Sequence, residues 1–207
     1  MQHLLPGYHR FRDTSWPAYR ATFERLAAAG QRPHTAVVAC SDSRVDPSLI
    51  FGAGPGELFV VRNVANLVPP YEPDGACHGT SAALEFGVTV LGVPNLVVLG
   101  HGLCGGVQAL LAPTGPSGEF MGPWIRLAER ARAAALACDD GSAQLAGEEA
   151  VVRVSLGNLQ TFPWVAERVA DGRLRLHGAH FDVRSGVLAT MGADGRFSPA
   201  GPPLLVA

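Results

Sequence analysis

Short apolar runs rich in β-branched residues alternate with helical stretches along the first half of the chain. Residues 34–40 (HTAVVAC), 58–62 (LFVVR) and 95–99 (NLVVL) have the length and composition of buried strands. Helices are predicted between these runs, over 46–51 from its N-cap and over 79–91 from its apolar spacing. Because strands that alternate with helices usually pair in parallel, this pattern predicts an α/β fold with a central, mostly parallel sheet flanked by helices.

The amino-terminal residues predict a helical arm. Apolar residues recur at helical spacing over 15–29, with Ser15 as a possible N-cap, Pro17 in the first turn and Gly30 after the last turn. We therefore expect residues 1–30 to form an N-terminal helical arm with one apolar face.

The second half of the chain predicts helices followed by a strand hairpin. Helical patterns cover 107–111, 120–138 and 148–170, the last with a break at Pro163. Alternating apolar residues over 173–183 and 187–191 predict a C-terminal hairpin at the edge of the sheet, and residues 198–207 predict a loose tail. Since no repeat or charged linker divides the chain, residues 1–207 are expected to form a single domain.

Composition and charge exclude several classes of protein. Apolar residues make up 47% of the chain and charged residues 16%, which predicts a large core and excludes a disordered chain. The formal net charge of -2 offers no cationic excess, so neither nucleic acid nor a membrane is an expected partner. All 16 basic residues are arginine. Without lysine, P-loop nucleotide hydrolysis and Schiff-base catalysis are excluded.

The amino terminus and the cysteines indicate the cellular compartment. Residues 1–16 lack the apolar run of a secretory signal, and no run is long enough to span a membrane, so we expect a cytoplasmic protein. In that reducing compartment, the four cysteines are expected to be free thiols or metal ligands: Cys40, Cys77, Cys104 and Cys138.

Two polar loops follow predicted strands. Cys40 opens the segment CSDSR after the first strand, and His101 and Cys104 lie in GHGLCGG after the third. Because the carboxyl ends of parallel strands lie at one edge of a sheet, we expect these three side chains to meet there. Two thiolates and one imidazole suit zinc, and three protein ligands leave a fourth position open for a water that becomes the nucleophile.

Asp42 and Arg44 directly follow the first predicted ligand. Two residues apart in extended backbone, they share a face and can form a bidentate ion pair. A carboxylate held by arginine keeps a lowered pKa and can accept the proton of the zinc-bound water. Asp42 could instead fill the fourth position on the metal.

Two other patterns have simpler interpretations. Gly100, Gly102 and Gly105 match the spacing of a dinucleotide fingerprint, but residues 113–116 (PTGP) follow where that fold needs a strand with an acidic end. Cys77 and His78 are adjacent in a loop, and we expect them to be structural or incidental.

Together, these segments resemble the β-class carbonic anhydrases, in particular the plant-like subgroup with an open zinc site. The resemblance extends to four more segments: PGELFVVRNVANLVPP (55–70), SAALEFGV (81–88), VRVSLGNLQTFPWV (152–165) and HGAHFDVRSGVL (177–188). It implies a zinc lyase with one zinc ion per subunit. Its reaction would be the reversible hydration of carbon dioxide to bicarbonate and a proton through a zinc-bound hydroxide.

The resemblance also implies roles for individual residues. It gives the zinc ligands as Cys40, His101 and Cys104, and the catalytic dyad as Asp42 and Arg44. It gives the substrate-binding residues as Gln31, Phe59, Val64, Phe86 and Gly105. Phe86 stands where plant-like members carry tyrosine, so a hydroxyl is missing there. Val37 replaces the tryptophan of members with an inhibitory bicarbonate pocket, so that kind of regulation is not expected.

The resemblance further implies a homodimer or homotetramer with the active site near a subunit interface, and a small-molecule substrate. Two alternatives stay open. A related enzyme on the same scaffold could hydrolyse carbonyl sulfide or carbon disulfide. The zinc could also be structural, with Asp42 as a permanent ligand, although Gln31 and Arg44 argue against a site closed to substrate.

Overall fold

The computed structural model describes residues 1–138 and 142–201. Within these ranges the strands are β1 (Thr35–Cys40), β2 (Leu58–Asn63), β3 (Asn95–His101), β4 (Arg175–Phe181), β5 (Leu188–Met191) and β6 (Phe197–Pro199). They form one sheet in the order β2-β1-β3-β4-β5-β6. The first four strands in this order are parallel, and β5 and β6 are antiparallel to their neighbours. The predicted α/β fold with its C-terminal edge hairpin is confirmed.

Helices connect the parallel strands and cover the sheet. They are α1 (Leu5–Arg10), α2 (Trp16–Ala29), α3 (Pro47–Ile50), α4 (Gly79–Glu85), α5 (Gly105–Leu111), α6 (Met121–Arg126), α7 (Glu129–Leu136), α8 (Ala143–Leu159) and α9 (Pro163–Ala170). Short 3-10 turns cover Gln2–Leu4 and Val64–Asn66, and π turns cover Phe11–Ser15 and Phe86–Val90. In the described ranges, none of the helices combines the length and the apolar character that crossing a bilayer requires.

Two apolar clusters hold the helices to the sheet. In the first, Val38 and Leu96 of the sheet pack with Leu159 of α8 and with side chains of α4 and α9. The second surrounds the carboxyl ends of β1 and β3, where Val107 of α5 and Ile125 of α6 pack around the two buried cysteines. This second cluster removes water from the edge of the sheet at which the predicted ligand loops lie.

The N-terminal arm over 1–30 is helical on both sides of Ser15, where the apolar spacing predicts that the helix begins. Residues 2–29 are helical without interruption, and Ser15 has helical dihedral angles (φ -84°, ψ -39°) with no side-chain capping bond. The prediction that Ser15 starts the helix was therefore wrong. Pro17 has no N–H to donate to the preceding turn, and the π turn lies directly before α2. Gly30 ends the arm as predicted, with a φ of 76°.

Three other boundaries differ from the sequence interpretation. The predicted helix over 120–138 breaks at Ala128, a buried residue whose ψ of 15° ends α6 before α7 begins. The helix predicted from residue 148 begins at Ala143, and it stops before Pro163 as expected. The tail predicted from residue 198 was wrong at its start, because Ser198 and Pro199 pair with β5 and the edge strand extends the sheet. Residues 202–207 of the predicted tail lie outside the described ranges.

Gly100 is a position where β3 and α8 approach too closely for a side chain. A Cβ atom there would lie 2.7 Å from Cγ2 of Val152. We expect Gly100→Ala to lower the free energy of unfolding by about 1–3 kcal/mol, the usual cost of overpacking a core. Gly157→Ala is the matched control, because its Cβ would meet nothing within 4 Å and alanine favours helix. Urea unfolding of both variants tests this, and equal stabilities would contradict the packing.

Candidate metal centre

Two distant loops converge at one edge of the sheet. Cys40 is the last residue of β1, His101 is the last residue of the neighbouring strand β3, and Cys104 directly precedes α5. One ligand atom of each side chain lies within 4.8 Å of the other two. All three residues are buried, and the exposed fraction of His101 is 1%.

The loop after β3 turns sharply enough to return Cys104 towards β1. Leu103 has a φ of 58°, in the left-handed region that residues other than glycine rarely adopt. Gly106, in the first turn of α5, packs so closely that a Cβ atom there would lie 2.8 Å from Cβ of Ala65. This close approach brings the amino-terminal end of α5 against the 3-10 turn that follows β2.

The donor set fits a zinc ion. The Nδ1 atom of His101 donates a hydrogen bond to the carbonyl oxygen of Gly102 at 2.9 Å. The proton is therefore on Nδ1, and the lone pair of Nε2 is free to coordinate a metal. That Nε2 atom is buried and has no hydrogen-bond partner among the described residues. A buried polar atom without a partner is unfavourable, and the imidazole that carries it has a ring nitrogen within 4.8 Å of both cysteine sulfurs. Two sulfurs and one imidazole nitrogen are ligands that zinc prefers.

Hydrogen bonds stabilise the ionised form of the first thiol. The pKa of Cys40 is lowered, chiefly because the Cys104 thiol donates to its sulfur and also because the N–H groups of Asp42 and Ala65 do so. The same thiol–thiol bond raises the pKa of Cys104, whose own sulfur accepts from the N–H groups of Gly106 and Val107. The thiolate is the form that binds metal, and a divalent cation between the sulfurs would replace the shared proton.

Asp42 and Arg44 form a bidentate pair beside the three ligands. The guanidinium of Arg44 donates from Nε to Oδ1 of Asp42 at 2.9 Å and from Nη2 to Oδ2 at 2.7 Å. The backbone N–H of Arg44 also donates to Oδ1 at 2.9 Å. These bonds hold the pKa of Asp42 well below its usual range, chiefly through the side-chain bond to Arg44. Both carboxylate oxygens thus face arginine, and Asp42 is outside the group of ligand atoms that lie within 4.8 Å of one another.

The five predicted substrate-binding residues lie at two ends of the sheet. Val64 follows β2 at the metal end, where its Cγ1 atom would be 3.2 Å from a Cβ on Gly106, and Gly105 begins α5. Phe59 lies opposite Ala36, four residues before the end of β2, and its ring is 6.0 Å from that of Phe86.

Gln31 lies beyond the amino end of β1, where its neighbours Gly30 and Arg32 line a cavity with residues 54–57. Cys40 is at the other end of the same strand, roughly 16 Å from Thr35 at about 3.3 Å per residue. One copy of the chain therefore does not bring Gln31 to its own cluster of ligands.

Several polar residues around the centre were not identified from the sequence. The guanidinium of Arg62 donates to the carbonyl oxygens of Cys40 at 2.9 Å and Asp42 at 2.6 Å, which fixes the first loop. Gln144, Glu148 and His180 form a hydrogen-bonded group behind Cys104. For Glu148, the sequence feature that could have indicated a role is its position on the apolar face of its helix, seven residues before the buried Ser155.

The two other cysteines lie away from this centre. Cys77 is exposed in the loop before α4, and the neighbouring His78 hydrogen-bonds to Asp74 at 2.7 Å. Cys138 follows α7 and is half-buried. Neither joins the group formed by Cys40, His101 and Cys104 in the described part of the chain.

Comparison with known proteins gives a consistent result. The family model described as carbonic anhydrase matches residues 35–188. A carbonic anhydrase of Pseudomonas aeruginosa is 40% identical over 203 residues, which are 95% of this chain and 90% of that protein. The solved structure of the beta-carbonic anhydrase CcaA superposes with a TM-score of 0.89 at 31% identity, covering 99% of this chain and 93% of that one.

A further solved structure comes from work on two tetrameric beta-carbonic anhydrases of Sordaria macrospora. It has a TM-score of 0.66 and 29% identity, and covers 95% of this chain and 96% of that one. The matched residues include both loops that carry the buried cysteines and the histidine. By sequence, fold and the composition of its site, this chain belongs to the β-class carbonic anhydrases.

Proposed function

We propose that the protein hydrates carbon dioxide reversibly with one zinc ion held by Cys40, His101 and Cys104. The observation that carries the proposal is the close approach of three buried ligand atoms while both oxygens of Asp42 are bonded to Arg44. When bound, zinc supplies Lewis-acid activation of water and so provides a nucleophile near neutral pH.

In this proposal Asp42 orients the attacking water. Its lowered pKa keeps the carboxylate ionised at neutral pH, so that it can only accept hydrogen bonds. An ionised carboxylate beside the reacting water selects the orientation in which a lone pair of the oxygen points at the substrate carbon. Arg44 holds Asp42 away from the three ligands, so a zinc ion bound there would keep a place for water.

The apolar surface beside Val64 is the proposed binding place for carbon dioxide. Val64 and Trp124 line a mostly apolar cavity of about 890 Å³, and the indole Nε1 of Trp124 donates to the carbonyl oxygen of Val64 at 2.8 Å. Carbon dioxide has no net dipole and gains little from polar groups, so an apolar wall such as this one suits it. A Cβ atom added to Gly105 would meet no other atom within 4 Å, which indicates open space at the start of α5.

The remaining predicted pocket residues support an oligomer. Gln31 lies beyond the amino end of β1, and Phe59 lies opposite Ala36 near the start of that strand, with its ring beside that of Phe86. We infer that these residues contact substrate bound to a second copy of the chain. The arm supports this as well, because neither α1 nor α2 buries a residue within its own chain. The tetramers of Sordaria macrospora support the same view without deciding between a dimer and a tetramer.

A complementation experiment tests this arrangement. We expect Gln31→Ala to lower kcat/KM by about 10-fold, the effect of losing one hydrogen bond of about 1.4 kcal/mol. Mixing subunits of Gln31→Ala with subunits of Cys40→Ser should restore part of the activity, because hybrids then contain one complete site. Mixtures no more active than the sum of the separate variants would contradict a site shared between copies.

Stopped-flow measurement of proton release from dissolved carbon dioxide tests the function itself. We expect the zinc-loaded protein to be active, the protein stripped by a chelator to be inactive, and added zinc to restore the rate. Carbonyl sulfide and carbon disulfide are assayed in parallel, and faster turnover of either would replace carbon dioxide as the substrate. Equal rates with and without zinc would overturn the proposal. A cytoplasmic location remains a prediction, and fractionation of the producing cells tests it.

A further inference from the structure

The peptide group between Leu103 and Cys104 is held from both sides by charged side chains. Its carbonyl oxygen, on Leu103, accepts a hydrogen bond from Nη2 of Arg44 at 3.1 Å. Its N–H, on Cys104, donates to Oε1 of Glu148 at 3.1 Å. The left-handed backbone of Leu103 is unfavourable for a leucine, so this peptide needs support from its surroundings to keep its orientation.

Glu148 belongs to a buried network that extends behind the metal centre. Its exposed fraction is 3%, and that of His180 is 5%. Oε1 of Glu148 also accepts from Nε2 of Gln144 at 2.6 Å, and Oε2 accepts from Nε2 of His180 at 2.9 Å. Gln144 donates in addition to the carbonyl oxygen of Cys104 at 3.3 Å. The backbone of Cys104 is therefore bonded on both its N–H and its carbonyl to side chains of α8.

A carboxylate in this position is costly to bury. An apolar side chain on the inner face of α8 would pack against the sheet without any loss of hydration, as Val152 and Leu159 of the same helix do. Within residues 1–138 and 142–201, Glu148 is the only acidic residue that is buried. Its hydrogen bonds lead to a predicted metal ligand on one side and to β4 through His180 on the other.

We propose that Glu148 is a positioning residue of the metal centre. It fixes the Leu103–Cys104 peptide so that the Cys104 sulfur points at Cys40 and His101, while Arg44 holds the opposite side of the same peptide. His180 and Gln144 orient the carboxylate of Glu148 for this task. The inference rests on the proposed zinc site, since a ligand is positioned only if a metal binds.

The test measures metal binding as well as activity. Zinc affinity is determined by competition with a chromophoric chelator, and the absorption spectrum of the cobalt(II)-substituted protein reports the geometry of the cysteine ligands. The variants are Glu148→Ala, Glu148→Gln and, as a matched control, Glu149→Gln. Glu149 is the next residue of α8 and pairs with Arg153 at 2.9 Å, away from the ligands. Circular dichroism and urea unfolding establish that each variant is folded during the measurement.

We expect Glu148→Ala to weaken zinc binding by about 10–100-fold, as is usual when a group that orients a metal ligand is lost. Its cobalt(II) spectrum should shift. Glu148→Gln should recover most of the affinity and the wild-type spectrum, because the amide oxygen can still accept from the N–H of Cys104. Glu149→Gln should match the wild type in both measurements.

Several results would overturn the proposal. Unchanged zinc affinity and spectrum in folded Glu148→Ala would remove any role for this residue at the metal. A Glu148→Gln variant as weak as Glu148→Ala would show that charge, and not the hydrogen bond to the peptide, matters. If Glu148→Ala does not fold, Glu148→Met replaces it, and failure of both to fold would assign Glu148 to the fold alone. A wild-type protein that binds no zinc would instead defeat the proposed function.

Discussion

Cys40→Ser is expected to abolish stoichiometric zinc binding. It should also reduce carbon dioxide hydration by more than the roughly 10–100-fold that is typical when a residue that only orients a metal ligand is lost. The change replaces one of two sulfurs by a hydroxyl that stays protonated at neutral pH and is a poor zinc ligand. Metal analysis and stopped-flow hydration of carbon dioxide measure the two effects on the same preparation.

Cys77→Ser is the matched control for this substitution. Cys77 is exposed in the loop before α4, outside the group of ligand atoms. The same chemical change there should leave zinc content and turnover at wild-type levels. Full zinc content and full activity in folded Cys40→Ser would contradict the assignment of this residue, as would equal losses in the two variants.

Arg44→Ala is expected to lower kcat by about 10–100-fold while the protein keeps one zinc per chain, since Arg44 orients a neighbouring side chain rather than binding the metal. Without its bidentate partner, the Asp42 carboxylate is free to approach the three ligands and to occupy the position that water needs. Zinc affinity should fall less than kcat does, because Glu148 still holds the Leu103–Cys104 peptide that Arg44 also contacts. Parallel measurement of zinc affinity and of kcat separates this result from a general loss of structure.

The chain contains a matched control for the arginine as well. Arg173 pairs with Asp171 through the same two-residue spacing, with its Nε donating to Oδ2 at 2.6 Å and its backbone N–H donating to Oδ1 at 3.1 Å. This pair lies before β4, at the opposite end of the sheet from the ligands, so Arg173→Ala should leave kcat unchanged. Arg44→Lys should give an intermediate rate, because an ammonium group cannot form the forked pair. A wild-type rate in Arg44→Ala would contradict the positioning of Asp42.

The convergence of Cys40, His101 and Cys104 could be predicted from the sequence because it depends on strong local signals. The apolar runs before Cys40 and His101 are typical of buried parallel strands, and parallel pairing of β1 with β3 then places their ends together. The N-cap of α3 could be predicted from the pair Asp46 and Pro47. In the structure Asp46 accepts from the N–H groups of Ser48 and Leu49 at 2.9 and 3.2 Å.

Other features depend on contacts that a linear pattern does not contain. The strand β6 has three residues, and only its pairing with β5 distinguishes it from a tail. Ser15 has the residue type of an N-cap, but the chain before it is already helical, so the cap signal had no effect. The distance between Gln31 and Cys40 follows from the strand that separates them, and the partners of Glu148 come from α8, β4 and the loop after β3.

X-ray absorption spectroscopy at the zinc edge tests the central claim most directly. We expect one zinc per chain with two sulfur neighbours, one imidazole and one further light atom. In Cys104→Ser, any zinc that remains should have one sulfur neighbour. A zinc ion surrounded by nitrogen and oxygen alone, or by more than two sulfurs, would contradict a centre formed by Cys40, His101 and Cys104.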